Sequence, residues 1–218
     1  MSELRTEEEQ LDAIKSWWKE NGKSLVITIV VVVTAVYGYR AWQQQQVDSS
    51  ETASAMYQQL ITVVESAPNA DAEKNLATSK HLTSTIKAEF SDSQYAKYAA
   101  LLMAKSAVDA GDLPAALAEL DWVLAASPKA LLKSLATIRK AQILTEQKQL
   151  DAALELLKDV SDSSLQIQAN ELKGDIYLAQ GDQDKARAAY KKALENQTIG
   201  ATKSILSLKL NDLTKEES

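Results

Sequence analysis

Very few side chains in this 218-residue chain have the types and spacing that chemistry requires. It has a single histidine, His81, and no cysteine. It contains no HExxH pair, GxxxxGKS/T loop, GxGxxG turn or GxSxG elbow, the motifs that assemble zinc ligands, phosphate-binding amides or a nucleophilic serine. A lone histidine among serine, threonine and lysine is typical of a solvated surface position. The sequence therefore predicts no catalytic residue, no metal site and no bound cofactor.

Two acidic groups stand where helices could begin. Three glutamates occupy residues 7–9, and Asp182 and Asp184 follow a glycine. Carboxylates are favourable at helix N-termini, where backbone N–H groups are exposed and the helix dipole is positive. An acidic docking patch at residues 7–9 is the alternative. We expect both groups to serve helix starts.

The composition excludes a nucleic-acid-binding protein and favours helices. The 24 basic and 30 acidic residues give a net charge of −6, so no basic surface exists to neutralise phosphates. Six glycines and three prolines are too few for the turns of an all-β domain. Alanine, leucine, lysine, glutamate and glutamine dominate after residue 50, and these residues favour helices. The predicted fold class is all-α.

One segment is too apolar for the surface of a soluble protein. Between Lys23 and Arg40 lie 16 uncharged residues, nine of them Val, Ile or Leu, and Trp17, Trp18 and Trp42 flank them. Only a helix satisfies its own backbone in a single membrane crossing, and aromatic rings settle at the lipid headgroups. A cleaved signal peptide ending near residue 35 is the alternative, but a long segment with six acidic residues precedes the run. The sequence predicts one transmembrane helix.

The orientation of that helix follows from the basic residues. Four precede the span, whereas Arg40 is the only basic residue after it until Lys74. Loops rich in lysine and arginine stay in the cytoplasm. We therefore expect a cytoplasmic N-terminus and an exported C-terminal domain.

The rest of the chain repeats a helical hairpin. Ala116, Ala153 and Ala186 each follow a turn and lie 37 and 33 residues apart, close to the period of about 34 residues in tetratricopeptide repeats. The clearest unit is "GDIYLAQGDQDKARAAYKKAL", with Gly174 and Tyr190 at packing positions. The middle unit lacks a turn glycine. The predicted helices are residues 71–88, 94–110, 114–126, 131–147, 150–159, 164–180, 183–195 and 199–214.

Repeat arrays usually bind partners through the first helix of each pair. The outward positions of those helices define a candidate partner-binding groove of nine residues. They are Tyr98, Leu101, Lys105, Leu135, Ile138, Gln142, Gln168, Glu171 and Asp175. The alternative is that Leu101, Leu135 and Ile138 are ordinary packing residues.

These patterns divide the chain into four segments. Residues 1–22 form a cytoplasmic amphipathic segment, with a helix over 6–21 closed by Asn21-Gly22. Residues 23–42 form the transmembrane helix. Residues 43–92 form a helical connector and the first helices of the exported domain; α-helical periodicity continues without glycine or proline to Pro68, and Leu76, Leu82 and Ile86 are expected to face inward. Residues 93–218 form the repeats and a capping helix.

The chain resembles one bacterial family over its whole length, and the most specific part of the resemblance lies before residue 60. "EEEQLDAIKSWWKENGKSL", the apolar span, "YRAW" and "VDSSETASAMYQQ" stand in the order found in the YfgM-like inner-membrane proteins, described as ancillary subunits of the SecYEG translocon. The resemblance implies a single-pass inner-membrane protein with a periplasmic tetratricopeptide-like domain. It also implies two partners, the SecYEG translocon and a PpiD-like membrane-anchored chaperone, and a role in passing unfolded exported proteins to periplasmic chaperones. The family has no known catalytic residues, so the resemblance assigns none.

Two functions of different classes remain from the sequence. The first is a membrane-anchored interaction protein whose repeat surface holds a partner. The second is a single-pass regulator whose cytoplasmic segment, residues 1–22, binds a soluble signalling protein.

Overall fold

The computed structural model describes residues 7–66, 72–126, 128–195 and 201–215. These residues form α-helices, joined by short turns, and contain no strand. The helices are α1 (Glu7–Glu65), α2 (Ala72–Glu89), α3 (Gln94–Asp109), α4 (Leu113–Ala125), α5 (Ala130–Glu146), α6 (Leu150–Leu156), α7 (Gln166–Ala179), α8 (Gln183–Glu195) and α9 (Ala201–Lys215). Turns of 3₁₀ helix follow α6 at Leu157–Asp159 and precede α7 at Ser163–Leu165. The all-α prediction is confirmed, and the predicted bounds of the helices from residue 71 onward agree with α2 to α9 to within a few residues.

The chain divides into two compact units, Met1–Thr52 and Ala53–Ser218. In the first unit, α1 carries an 18-residue window with a mean hydropathy of 1.8, none of it buried. Among the described helices, this is the one that is long and apolar enough to cross a membrane. The prediction of a single N-terminal transmembrane helix is confirmed.

The predicted end of the first helix at Asn21-Gly22 is wrong. α1 continues through both residues. The Asn21 side chain donates a hydrogen bond to the backbone oxygen of Trp17, at 3.2 Å, instead of capping an end. The Trp18 ring covers Gly22 so closely that a β-carbon there would lie 3.1 Å from it. Local side-chain contacts therefore offset the low helix propensity of glycine, which costs about 1 kcal/mol relative to alanine.

In the second unit, helical hairpins pack side by side around a continuous series of apolar clusters. The first cluster joins Leu60 of α1 to Leu82 and Ile86 of α2 and to α3. The next two clusters fill the α3–α4 and α5–α6 hairpins, and the last joins α8 to Leu206 and Leu213 of α9. The repeat alanines Ala116, Ala153 and Ala186 are fully buried, as the repeat spacing predicts. Of the residues expected to face inward on α2, Leu76 is an exception and is 38% exposed.

All three hairpins turn through one residue with positive φ. Gly111 and Gly181 adopt φ values of 76° and 79°. In the middle hairpin, which lacks the glycine, Lys148 adopts a φ of 62°. The same backbone bond closes each turn, since the N–H groups of Asp112, Gln149 and Asp182 donate to a carbonyl five residues earlier, at 2.8–2.9 Å. This left-handed closure suits glycine, so Lys148 holds a conformation that costs about 1–2 kcal/mol.

Candidate partner-binding surface

An aromatic cluster forms where the last turns of α1 meet α3. Tyr57 lies on α1, and Tyr95 and Tyr98 lie one turn apart on α3. Ring centroids are 6.0 Å apart for Tyr57 with each of the other two, and 6.3 Å apart for Tyr95 with Tyr98. Such edge-to-face and tilted contacts stabilise aromatic groups in place. We call these three residues the tyrosine cluster.

The tyrosine cluster is amphipathic and partly open to solvent. Tyr98 is 38% exposed, whereas Tyr57 and Tyr95 are half-buried. Burial, and next the proximity of Tyr98, raise the pKa of Tyr57 above its ordinary value of 10.0, so its phenol stays protonated at neutral pH. The cluster presents three aromatic rings held in position, which is the kind of surface that dominates binding energy at protein interfaces.

The structure places the nine predicted groove residues on α3, α5 and α7, in three different settings. On α3, Tyr98 belongs to the tyrosine cluster, Leu101 packs at the edge of a core cluster, and Lys105 pairs with Asp109 at 2.6 Å. Lys105 and Asp109 are both largely exposed, so this pair adds little stability.

On α5, one predicted contact residue is wrong. Ile138 is fully buried and packs in the core with α6 and α7, so it cannot touch a partner without opening the domain. Leu135 and Gln142 are half-buried, and Gln142 accepts a hydrogen bond from Arg139 at 3.3 Å. The helical spacing alone placed Ile138 at an outward position. It is buried nonetheless, because a helix in the middle of an array is covered on more than one side.

On α7, two of the predicted residues hold the C-terminal helix. Lys209 of α9 donates to Glu171 at 2.9 Å and to Asp175 at 2.7 Å, and Asp175 also accepts from the Tyr190 hydroxyl at 2.6 Å. Burial by itself lowers the pKa of Lys209, but the two carboxylates outweigh it and raise the pKa. Burial and the bond to Asp175 raise the pKa of Tyr190. Gln168, the third residue, is half-buried.

The isolated polar residues that could do chemistry have ordinary settings. His81 is exposed on α2, and the described residues contain no group of three or more histidines and carboxylates that could hold a metal ion. Asp182 caps α8, because its carboxylate accepts from the Lys185 N–H at 3.1 Å. Its hydrogen bonds to the Lys185 side chain and backbone lower the pKa of Asp182. Asp184 pairs with Arg187 in the first turn of α8 at 2.9 Å. The side chains of Glu7 and Glu8 lie outside the described residues, and α1 is described from Glu7.

Sequence analysis missed Tyr57 and Tyr95 as parts of this surface. Tyr57 stands in the apolar stripe of α1, and only its neighbourhood in space joins it to Tyr98. The spacing of Tyr95 and Tyr98 was a usable signal, since residues three apart share a helix face.

The fold is that of a helical-repeat protein, with one helix among the described residues that is long and apolar enough to cross a membrane. A family model described as "Tetratricopeptide repeat-like domain" matches residues 15–215. Two solved structures of the fold, both of MamA, cover 78% of this chain: MamA 41-end from Desulfovibrio magneticus RS-1 at a TM-score of 0.51 and 17% identity, and the MamA RS-1 ArsTM double mutant at 0.50 and 18%. Those matches span 96% and 97% of the MamA chains, respectively.

Curated relatives cover nearly the whole chain. A protein of Aggregatibacter actinomycetemcomitans is 36% identical over 95% of this chain and 97% of its own length. One of Escherichia coli strain K12 is 31% identical over 98% of this chain and 100% of its own length. Both carry the name "Ancillary SecYEG translocon subunit". The chain belongs to this family, the YfgM-like tetratricopeptide-repeat proteins, and the resemblance noted in the sequence is confirmed.

Proposed function

We propose that this protein is a membrane-anchored ancillary subunit of the Sec translocon that acts as an adaptor and not as a catalyst. Its relatives bear the translocon name over essentially full length. In the proposed role, the repeat domain lies in the periplasm beside the translocon. There it holds a PpiD-like membrane-anchored chaperone and helps pass unfolded exported proteins to periplasmic chaperones.

The observation that carries the proposal is the tyrosine cluster on a repeat scaffold that belongs to an anchored chain. Tyr57, Tyr95 and Tyr98 offer ring faces and hydroxyls without the desolvation cost of charges. Tyrosines of this kind are enriched among residues that dominate interface energies. Anchoring adds effective concentration, because two proteins confined to one membrane meet more often than two in solution.

The periplasmic location rests on charge asymmetry about the span. Lys15, Lys19 and Lys23 lie shortly before it, and Arg40 alone lies at its other end. A reporter enzyme that is active only outside the cytoplasm should be active when fused after Ser218. Activity of the fusion only with a cytoplasmic reporter would reverse the orientation.

The binding role is tested by co-purification of the full chain from detergent with a tagged PpiD-like chaperone. Tyr98→Ala should lower the amount retained about tenfold, since truncation of an aromatic hot spot costs about 1–2 kcal/mol or more. Leu178→Ala is the matched control, because Leu178 is also exposed, at 44%, but lies on α7 away from the tyrosine cluster. Circular dichroism should show both variants folded.

Two outcomes would contradict this role. Equal retention of the chaperone by the folded Tyr98→Ala variant and the wild type would remove the tyrosine cluster from the interface. Loss of every partner on deletion of residues 2–22, with the repeat domain intact, would instead favour the regulator whose cytoplasmic segment binds a soluble protein.

A further inference from the structure

A second concave site, separate from the tyrosine cluster, opens where α2, α3 and α4 meet. Its volume is about 450 Å³, within the range of pockets that bind ligands. The apolar lining comes from all three helices, with Leu76 on α2, Met103 and Ala107 on α3, and Ala115 and Trp122 on α4. Leu76 is the one residue of the α2 stripe that the core leaves 38% exposed. We call this site the α2–α4 groove.

The groove contains a buried hydroxyl without a partner. Thr83 lines it and is only 2% exposed, yet its Oγ1 makes no hydrogen bond with any described residue. Thr78 and Thr85 on the same helix each donate to a backbone carbonyl one turn earlier, at 2.9 and 3.0 Å. A buried hydroxyl left unpaired is costly, so Thr83 lowers the stability of the domain where α2 forms the groove wall.

The charged residues of the groove leave one charge uncommitted. Lys87 pairs with Glu119 at 2.7 Å, and its ammonium also lies 4.8 Å from the centre of the Trp122 ring. Asp112 caps α4, accepting from the Ala115 N–H at 3.1 Å. Lys80 lines the groove, is exposed, and has no ion pair or hydrogen bond within the described parts of the chain. The free charge is therefore positive, and the complementary ligand group is a carboxylate.

We propose that the α2–α4 groove binds a peptide segment of a partner protein that is apolar and carries an acidic side chain. Apolar side chains of the segment contact Leu76, Ala107 and Ala115, and its carboxylate pairs with Lys80. Helical-repeat proteins commonly hold peptides between helices in this way. The inference does not depend on the translocon assignment.

The test uses the full chain in lipid nanodiscs and fluorescence anisotropy, with empty nanodiscs as the blank. The probes are three short fluorescein-labelled peptides of alternating leucine and serine that differ only in a central Glu, Gln or Lys. The Glu peptide should bind about threefold tighter than the Gln peptide, as expected for a partly exposed ion pair, and the Lys peptide should bind weakest. Lys80→Glu should reverse that order. Lys74→Glu, the same change at an exposed residue of α2 outside the groove, should preserve it.

Two further variants separate the groove from a general charge effect. Ala115→Leu should fill the groove and weaken binding of the Glu peptide about tenfold or more, whereas Ala118→Leu, on an exposed face of α4, should not. Thr83→Val removes the unpaired hydroxyl at constant shape and, since that hydroxyl is sealed from the groove, it should raise the melting temperature and leave binding of the Glu peptide unchanged.

Three results would overturn the proposal. One is equal affinity for the Glu and Gln peptides in the wild type. A second is full binding by the folded Ala115→Leu variant. The third is the absence of any peptide binding. Failure of the translocon role would leave each of these measurements unaffected, since none of them uses a translocon component.

Discussion

Gly174 controls how closely α7 and α8 approach, and its replacement by alanine should destabilise the repeat domain. A β-carbon at this position would lie 2.5 Å from Cδ1 and 2.8 Å from Cζ of Tyr190. Tyr190 is fully buried, and its hydroxyl donates to Asp175 at 2.6 Å, so the ring has no free space in which to move. Gly174→Ala must therefore displace the ring and strain or break that hydrogen bond.

The magnitude follows from three contributions. Overpacking costs about 1–3 kcal/mol. Loss of a hydrogen bond to a charged carboxylate adds about 1.5 kcal/mol or more. Alanine in a helix interior returns about 1 kcal/mol relative to glycine. The net loss in free energy of unfolding is about 1.5–3.5 kcal/mol, or a melting temperature lower by roughly 3–14 °C for a domain of this size.

The assay is thermal unfolding of the full chain in detergent, followed by far-UV circular dichroism. Gly38→Ala is the matched control, because a β-carbon at Gly38 meets no atom within 4 Å, and its melting temperature should stay the same or rise. Tyr190→Leu in the Gly174→Ala background should lose less than the sum of the two single variants, since the smaller side chain removes the clash. An unchanged melting temperature for Gly174→Ala, or strict additivity in the double variant, would refute the close approach.

Two other predictions concern the middle turn and the buried phenol. Lys148→Gly should raise the free energy of unfolding by about 1 kcal/mol, because glycine relieves the left-handed strain at a φ of 62°. Lys133→Gly, in the first turn of α5, should instead lower the free energy of unfolding. Chemical denaturation measures both changes. The raised pKa of Tyr190 means that the unfolded chain loses this proton first as pH rises above about 10, so stability present at neutral pH declines there. In urea titrations, the free energy of unfolding of Tyr190→Phe should fall less between pH 9 and 11 than that of the wild type. An identical pH dependence of the free energy of unfolding for the two proteins would contradict this linkage.

The sequence was most informative where one helix period decides the structure. The repeat alanines, the turn glycines and the apolar span each determine structure through residues that are close in sequence. For that reason α3 to α9 and the transmembrane helix could be predicted closely. Asn21-Gly22 was misread because the pair usually ends a helix, whereas here the Trp18 ring covers Gly22. That contact depends on side-chain direction, which composition does not reveal.

The candidate sites were harder to predict, since each depends on which helix faces which. Ile138 and Leu135 share an apolar pattern on α5, yet Ile138 is fully buried and Leu135 is not. The α2–α4 groove could not be predicted from the sequence pattern. Its cavity exists because the side chains of Ala107 and Ala115 are too small to fill the space between the helices. The helical pattern of α2 placed Leu76 inward with Leu82 and Ile86, whereas the structure leaves it 38% exposed in the wall of the groove.

The packing of α9 on α7 and α8 makes α9 necessary for completing the repeat domain. Tyr190 and Ala193 of α8 pack against Leu206 and Leu213, and Lys209 joins the carboxylates of α7. Until α9 has been synthesised, those apolar surfaces have no cover and the two carboxylates have no cation. The ribosome synthesises α9 after α8, so the apolar surface of α8 stays exposed until α9 has emerged. The packing of α8 is therefore completed only after α9 has been synthesised, and a nascent chain stalled short of α9 would expose apolar surface that favours aggregation.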